Sequence, residues 1–346
     1  MSDSIGRTEI GTLGEFGLID HLLEDNVIRR SSTVTGPGDD AAVMDYAGRH
    51  ICVSTDLLVE GVHFDLMYVP LKHLGYKAVV VNLSDICAMN ILPTHVTVSI
   101  AVSNRFSVEA LEELYEGIYA ACKTYQVDLV GGDTTSSTSG LMISVTAMGP
   151  ADPKKIAYRS GAKERDLICV TGNLGGAYLG LQLLEREKQL YLDNPEIQPE
   201  LEGQSYVVGR QLKPEARTDM IQLLSKAQIV PNAMMDISDG LASDIMHLTK
   251  ASKVGAVIFE EQVPIHNDSK MLALDFNLDP ITPALNGGED YELLFTVPDS
   301  DYDKVKVLPD LYIVGEIVAA DKGVKLRTEG GNMKELTAQG WKHFKG

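Results

Sequence analysis

The sequence predicts an α/β protein of two domains. Three observations carry this. The 346 residues suit two domains of ordinary size. Apolar runs of strand length alternate with longer stretches of helical periodicity. One stretch rich in Pro, Gly and charge, GPADPKKIAYRSGAKERD from Gly149, interrupts that alternation near the middle. The boundary falls there, giving domains 1–150 and 151–346.

In chain order, residues 8–23 read as a helix, with Ile10, Leu13, Phe16, Leu18, Ile19 and Leu22 on one apolar face. Strands are expected at Ala41–Met44 and His50–Thr55, then a helix through LGYKAVVVNLSDICAMN and a strand at Thr94–Val102. Ser107 caps a helix to Tyr125, with Glu109 and Glu112 in its early turns, where carboxylates suit the positive end of the helix dipole. Strands at Leu129–Val130 and Leu141–Met148 complete the first half. The second half opens with the strand Leu167–Thr171. TGNLGGAYLG, from Thr171, then starts a helix, either as an anion-binding turn or as a close helix-packing turn. Glu185 to Gly203 is polar and reads as a flexible insertion. Helices at 214–227 and 240–252 follow, then strands near 256–260, 292–297 and 311–317.

Charge narrows the function. Lys plus Arg number 30 and Asp plus Glu 49, so the formal charge is 30 − 49 = −19. Nucleic acid and anionic membranes both call for basic patches, so neither is an expected partner. No apolar run reaches the ~18 residues of a membrane span, and the first residues carry no signal pattern. Cys52, Cys87, Cys122 and Cys169 lie in apolar contexts with no CxxC spacing, as reduced core cysteines do. A soluble, cytoplasmic protein is expected.

The chemistry lies in acids. Neither a GxxxxGK[ST] phosphate loop nor the HRD and DFG motifs of protein kinases are present. Instead, acids sit in what read as small-residue or apolar loops: Asp39 and Asp40 in GPGDDAAV, Asp56 in VSTDLL, Asp85 in VNLSDICA, Asp133 in VGGDTTSS, Asp236 and Asp239 in MMDISDGLASD, Glu289 and Asp290 in NGGEDYELLF. Any one alone is more often a turn or a cap, and Asp239 fits a helix cap. An unpaired carboxylate in an apolar pattern, as at Asp85, is costly. Together these acids suit Mg²⁺, which takes oxygen ligands and is held by a few carboxylates plus substrate phosphates. The hydroxyls of Ser54, Thr55, Thr134 and Ser238 add oxygen donors. Zn²⁺ is disfavoured, because the eight histidines show no paired spacing. Metal-neutralised phosphate suits ATP, with Arg159 the candidate cation beside it.

The motifs GEFGLID, GDDAAV, STDLLVEGVHFD, YKAVVVNLSDICAMN, VGGDTTSS, YRSGAKERD, VTGNLGG, LKPEAR, MDISDGLASD, GGEDYELLFTV and GWKHF run nearly end to end. With them the chain resembles the thiamine-monophosphate kinase family, of the superfamily that includes aminoimidazole ribonucleotide synthetase and selenophosphate synthetase. GDD and GGD are shared across the superfamily; EGVHF, GGEDYELLF and GWKHF are specific to this branch. The resemblance implies a two-domain aminoimidazole-ribonucleotide-synthetase-like fold whose first domain completes a β-barrel across a homodimer interface. It implies Mg²⁺-dependent transfer of the ATP γ-phosphate to thiamine monophosphate, the closing step of thiamine diphosphate biosynthesis. By position, Asp40, Ser54, Thr55, Asp56, Asp85, Asp133, Asp236 and Asp239 match metal ligands. Tyr115, Gly132, Asp133, Arg159 and Ser238 match ATP contacts, and His63, Glu289 and Trp341 match thiamine-phosphate contacts. No general base is required, since an acceptor phosphate is already ionised. Two alternatives stand beside this: another ATP-dependent enzyme of the superfamily, or a non-catalytic Mg-nucleotide-binding protein. Selenophosphate synthesis is disfavoured by the lack of an N-terminal cysteine.

Overall fold

The structure is a computed structural model and describes residues 30–36 and 38–338. The helix expected at 8–23, GEFGLID, GWKHF and Trp341 lie outside these residues. The first half holds strands β1 (Thr33–Thr35), β2 (Ala42–Tyr46), β3 (Arg49–Val59), β4 (His95–Val102), β5 (Asp128–Ser136) and β6 (Leu141–Ala151). They form one sheet in the order β1-β2-β3-β6-β4-β5. Every pair is antiparallel except β4 with β5, which a helix, α2 (Val108–Tyr125), connects. Ser107 caps that helix by accepting the N–H of Ala110, as its sequence predicts. Among the described residues this sheet is open: β5 is an edge strand, exposed from Gly131 to Ser136.

Between β3 and β4 runs α1 (Leu71–Ala88), apolar on all sides and buried almost throughout. It packs against α2, β3 and β6, and on its other side against two strands of the second half. The crossing with α2 is close. A Cβ on Gly75 would fall 1.9 Å from the carbonyl oxygen of Leu114, and one on Gly117 would fall 1.9 Å from that of Lys72. Backbone meets backbone there, so neither position has room for a side chain.

The second half holds β7 (Leu167–Thr171), α3 (Gly176–Asp193), α4 (Ser205–Leu212), α5 (Thr218–Lys226), β8 (Ala233–Ile237), α6 (Leu241–Ser252), β9 (Gly255–Phe259), α7 (Asn267–Asp275), α8 (Ile281–Asn286), β10 (Glu292–Val297), α9 (Tyr302–Val305), β11 (Leu311–Val318), β12 (Val324–Arg327) and β13 (Met333–Glu335). Its sheet runs β13-β12-β9-β11-β7-β10-β8, with only β12 and β9 parallel. Side chains alternate between two cores, as strand geometry requires. Met234, Leu293 and Phe295 join the core that contains α1, whereas Met235, Ile237 and Leu294 face a second core with α6.

The insertion expected from Glu185 is helical as far as Asp193. Leu179, Leu183, Leu184 and Glu187 bury one face of α3, and the Glu187 carboxylate accepts the N–H of Glu200, tying down the chain beyond the helix. All four cysteines are free and buried. No helix among the described residues is long and apolar enough to cross a membrane.

Candidate functional site

The two halves meet at a cluster of acids. Oxygens of Asp40, Asp85 and Asp236 lie within 4.8 Å of one another. Each arrives from a different element: the loop before β2, the last turns of α1, and β8. Asp236 belongs with Met234 on the face of β8 turned toward α1, and there it accepts a 2.7 Å hydrogen bond from the Ser84 hydroxyl. Asp85 accepts a hydrogen bond from the Ser54 hydroxyl of β3. Asp56, two residues along the same strand, is on the same face as Ser54, and its N–H is held by Asn82 of α1 at 2.9 Å. Thr55 points the other way: its hydroxyl donates to the carbonyl of Val145 and accepts from Thr146.

Three of the acids expected in loops, Asp56, Asp133 and Asp236, are in strands, and Asp85 is in the helix its apolar pattern predicts. Asp56 is in β3, Asp85 in α1, Asp133 in β5 and Asp236 in β8. A rigid framework holds carboxylates that repel one another. Burial, then the charges of Asp56, Asp236 and Asp40, raise Asp85 well above the usual carboxylate range. Burial and Asp40 push Asp236 up to about 8, and burial pushes Asp56 up to about 6. One cation is built in. Arg159 grips Asp40 with both arms, Nε to Oδ2 at 2.8 Å and Nη2 to Oδ1 at 3.0 Å, while its backbone N–H is shared between the Asp39 oxygens at 3.2 Å. Asp39 is pushed up to about 6 by burial and by Asp40. An all-oxygen, buried, mutually repelling donor set fits a hard divalent cation.

The remaining expected residues surround this cluster unevenly. Asp133 is exposed on β5, accepts the N–H of Thr134 and is not one of the three clustered acids. Beside it, Gly132 runs so close to β4 that a Cβ would meet the Val98 carbonyl oxygen at 1.8 Å. Tyr115 is half-buried on α2, 5.9 Å from the ring of Tyr119. Asp239 does not cap α6; Asp244, in the first turn of that helix, accepts the N–H groups of both Asp239 and Gly240. The Ser238 carbonyl accepts the N–H of Glu289 at 2.7 Å. His63 Nδ1 accepts the N–H of Val59 at 3.0 Å, which leaves the ring proton on Nε2 in the neutral tautomer.

Glu289 has left-handed backbone, φ 67°. Its carboxylate pairs with Lys77 of α1 at 3.1 Å and accepts from Gln211 of α4 at 2.8 Å. Sequence reasoning missed Lys77, Gln211 and Asp244. A lone lysine inside YKAVVV was the available signal.

The turn TGNLGG does hold an anion, and the anion is internal. The Asp290 carboxylate accepts from Gly175 at 2.6 Å and Ala177 at 3.3 Å, capping α3. Burial pushes this carboxyl up to about 7. Behind it, Glu292 binds Arg210, Arg217 and the Thr171 hydroxyl in a buried network.

Residues 38–151 match the family AIR synthase related protein, N-terminal domain, and residues 163–326 match its C-terminal domain. The chain is 36% identical to the thiamine-monophosphate kinase of Aquifex aeolicus over 335 residues, covering 96% of this chain and 98% of that one. It is 36% identical to the Bacillus subtilis thiamine-monophosphate kinase over 345 residues, covering 96% and 100%. Among solved structures it is similar to AaThiL complexed with AMPPCP and TMP, with a TM-score of 0.80 and 34% identity, over 98% of this chain and 99% of that one. The thiamine-monophosphate kinase structure from Stenotrophomonas maltophilia gives a TM-score of 0.71 at 30% identity, over 92% and 96%.

Proposed function

The chain belongs to the thiamine-monophosphate kinases, within the AIR synthase related proteins, and from that membership we propose that it transfers the γ-phosphate of ATP to thiamine monophosphate. The products are thiamine diphosphate and ADP. The single observation that carries the mechanism is the cluster of Asp40, Asp85 and Asp236, assembled from both halves of the chain.

The new bond joins the γ-phosphorus to an oxygen of the acceptor phosphate, and the bond to the β-phosphate bridging oxygen breaks. That acceptor oxygen is already anionic, so the work is to bring two like-charged phosphates together in line. Mg²⁺ bound at the acids supplies charge neutralisation and orientation of phosphate oxygens. Asp40, Asp85 and Asp236 hold it in this reading, with Asp56, Asp133, Asp239 and the Ser54 hydroxyl completing the sites for further ions; Thr55, turned to the opposite face, is not among them. Arg159 and Ser238 meet the triphosphate, with Gly132 and Tyr115 beside the nucleotide. His63 donates from Nε2 to the substrate phosphate, and Glu289 and Trp341 receive the thiamine end. Residues 1–150 then form the ATP, Mg²⁺ and dimerisation domain, and residues 151–346 complete the ATP and substrate site, in a cytoplasmic enzyme.

Product formation tests the reaction. Incubation with ATP, Mg²⁺ and thiamine monophosphate should yield thiamine diphosphate in step with ADP. Thiamine as acceptor, or EDTA in place of Mg²⁺, should yield none. ADP release without thiamine diphosphate would discard the assignment.

The exposed edge strand β5 supports a homodimer in which two first-half sheets close a barrel, because unpaired strand edges are usually covered. Sedimentation at assay concentration should give twice the chain mass. A fully active monomer would rule out an obligatory interface.

A further inference from the structure

We infer that α3 registers the turn carrying His63 against the second half through a strut of four side chains, and that this strut sets how long an acceptor the site takes. Asp65 and Tyr68 of the turn meet Glu185 and Lys188 of α3, and all four act as positioning residues for the phosphate end of the acceptor. The inference rests on the thiamine-monophosphate reading and adds to it what holds His63 in place.

The turn is a stiff piece in itself. Where β3 ends, the Val59 carbonyl accepts the N–H groups of Val62 at 3.1 Å and His63 at 2.9 Å, and the Val59 N–H holds the His63 ring. Gly61 donates to the Phe64 carbonyl at 2.8 Å, and the Phe64 ring is buried. The Asp65 carbonyl then accepts from Tyr68 and Val69, and Asp65 Oδ1 accepts the Met67 N–H at 2.8 Å. These bonds shape the turn and leave its orientation toward the second half to other contacts. Asp65 Oδ2 supplies one, 2.7 Å from Lys188 Nζ. The Tyr68 hydroxyl supplies another, donating to Glu185 Oε1 at 2.7 Å. Lys188 also pairs with Glu185 at 3.2 Å and lies 5.7 Å from the centre of the Tyr68 ring, which ties the two contacts together. A single contact is a pivot; two fix rotation as well as distance.

The helix supplies the other half of the argument. Glu185 and Lys188 are three residues apart, so they share one face of α3. The N-terminus of the same helix is capped by Asp290, next in sequence to Glu289. One rod therefore carries the His63 turn near one end and the GGED loop at the other. Gly176 and Lys188 stand 188 − 176 = 12 residues apart, ~18 Å along the helix axis. The phosphate end and the thiamine end of the site are thereby both referred to α3. Stability is not what these contacts chiefly provide. The Lys188, Asp65 and Glu185 side chains are 17%, 30% and 39% exposed, and ion pairs that open to water add little stability. Their value lies in direction.

The test follows KM for thiamine monophosphate and for ATP separately, together with the melting temperature. It also compares kcat/KM for thiamine monophosphate with that for an analogue whose phosphate arm is one methylene longer. Lys188→Met should raise KM for thiamine monophosphate about tenfold, leave KM for ATP unchanged and shift the melting temperature by no more than about 3 °C. Tyr68→Phe removes one oxygen and keeps the ring, so it should act in the same direction more weakly. Lys188→Arg keeps both pairings and should recover most of the loss. Lys188→Met and Tyr68→Phe should each narrow the wild type's preference for thiamine monophosphate over the longer analogue, Lys188→Met by at least about threefold. Should Lys188→Met not fold, Tyr68→Phe and Lys188→Arg decide. An unmoved preference, or KM values for both substrates rising together with a lowered melting temperature, overturns this inference and leaves the kinase reading standing. A wild-type protein that does not phosphorylate thiamine monophosphate overturns both.

Discussion

Replacing Asp85 by Asn is expected to lower turnover by about 10²–10³-fold, the scale set by losing several kcal/mol of metal-borne charge stabilisation. The same change should raise the melting temperature of the metal-free protein. The two effects have one cause. Asp85 is a half-buried carboxylate facing Asp56, Asp236 and Asp40, with a hydrogen bond from the Ser54 hydroxyl. Asn keeps an oxygen for Ser54 and removes the charge that burial penalises. Asp133→Asn makes a useful contrast. Its side chain is exposed on β5, so it should reduce turnover with no gain in stability. Turnover within about threefold of wild type, or a metal-free variant that melts lower, would refute this account of Asp85.

The second large effect is a dependence on pH that Mg²⁺ removes. Asp236 and Asp56 carry folded-state values raised to about 8 and about 6 from an ordinary 3.8, and Asp85 is raised too. The folded metal-free protein therefore binds more protons than the unfolded chain across that window. The contribution of these groups to its stability is fully present with them protonated, near pH 4, and is lost as pH rises through about 6 and then about 8. Each extra bound proton contributes up to about 1.4 kcal/mol per pH unit. Mg²⁺ replaces the protons, so its stabilisation grows in the same direction, reaching ~2.7 kcal/mol at about 100 times its Kd. Thermal melts with EDTA and with millimolar Mg²⁺, at about pH 5 and about pH 8.5, measure this. The Mg²⁺-induced rise should be large at the higher pH and small at the lower. Equal rises at both would show that the acids do not compete for protons and metal.

Local signals in the sequence carried far, and the limits have physical causes. Ser107 and the strand Leu167–Thr171 are legible because a cap and a five-residue apolar run need no distant partner. β8 went unassigned because Asp236 interrupts its apolar run, and a buried acid reads locally as a loop. Thr55 shows how one boundary decides a role. A strand ending at Thr55 leaves Ser54 and Thr55 as equal donors. The strand in fact continues to Val59, and the two-residue period then puts Ser54 with Asp56 and turns Thr55 to the opposite face. TGNLGG was readable as an anion site and GGED as an acidic loop. That each answers the other is a tertiary fact, joining positions 115 residues apart. The same holds for Lys77 and Glu289, which meet only because α1 lies between the sheets.

That placement of α1 also bears on how the protein is made. The helix, Asp40 and Asp85 leave the ribosome well before Asp236, which lies 236 − 85 = 151 residues later. At ~5–20 residues per second, translation of that interval takes roughly 8–30 s. Throughout it, the flank of α1 destined for β8 and β10 has no cover, and a nascent first half shows water a largely apolar helix that carries the Asp85 carboxylate. That flank is covered only when β8 and β10 have been made, so the first half cannot bury its central helix until the second half is available.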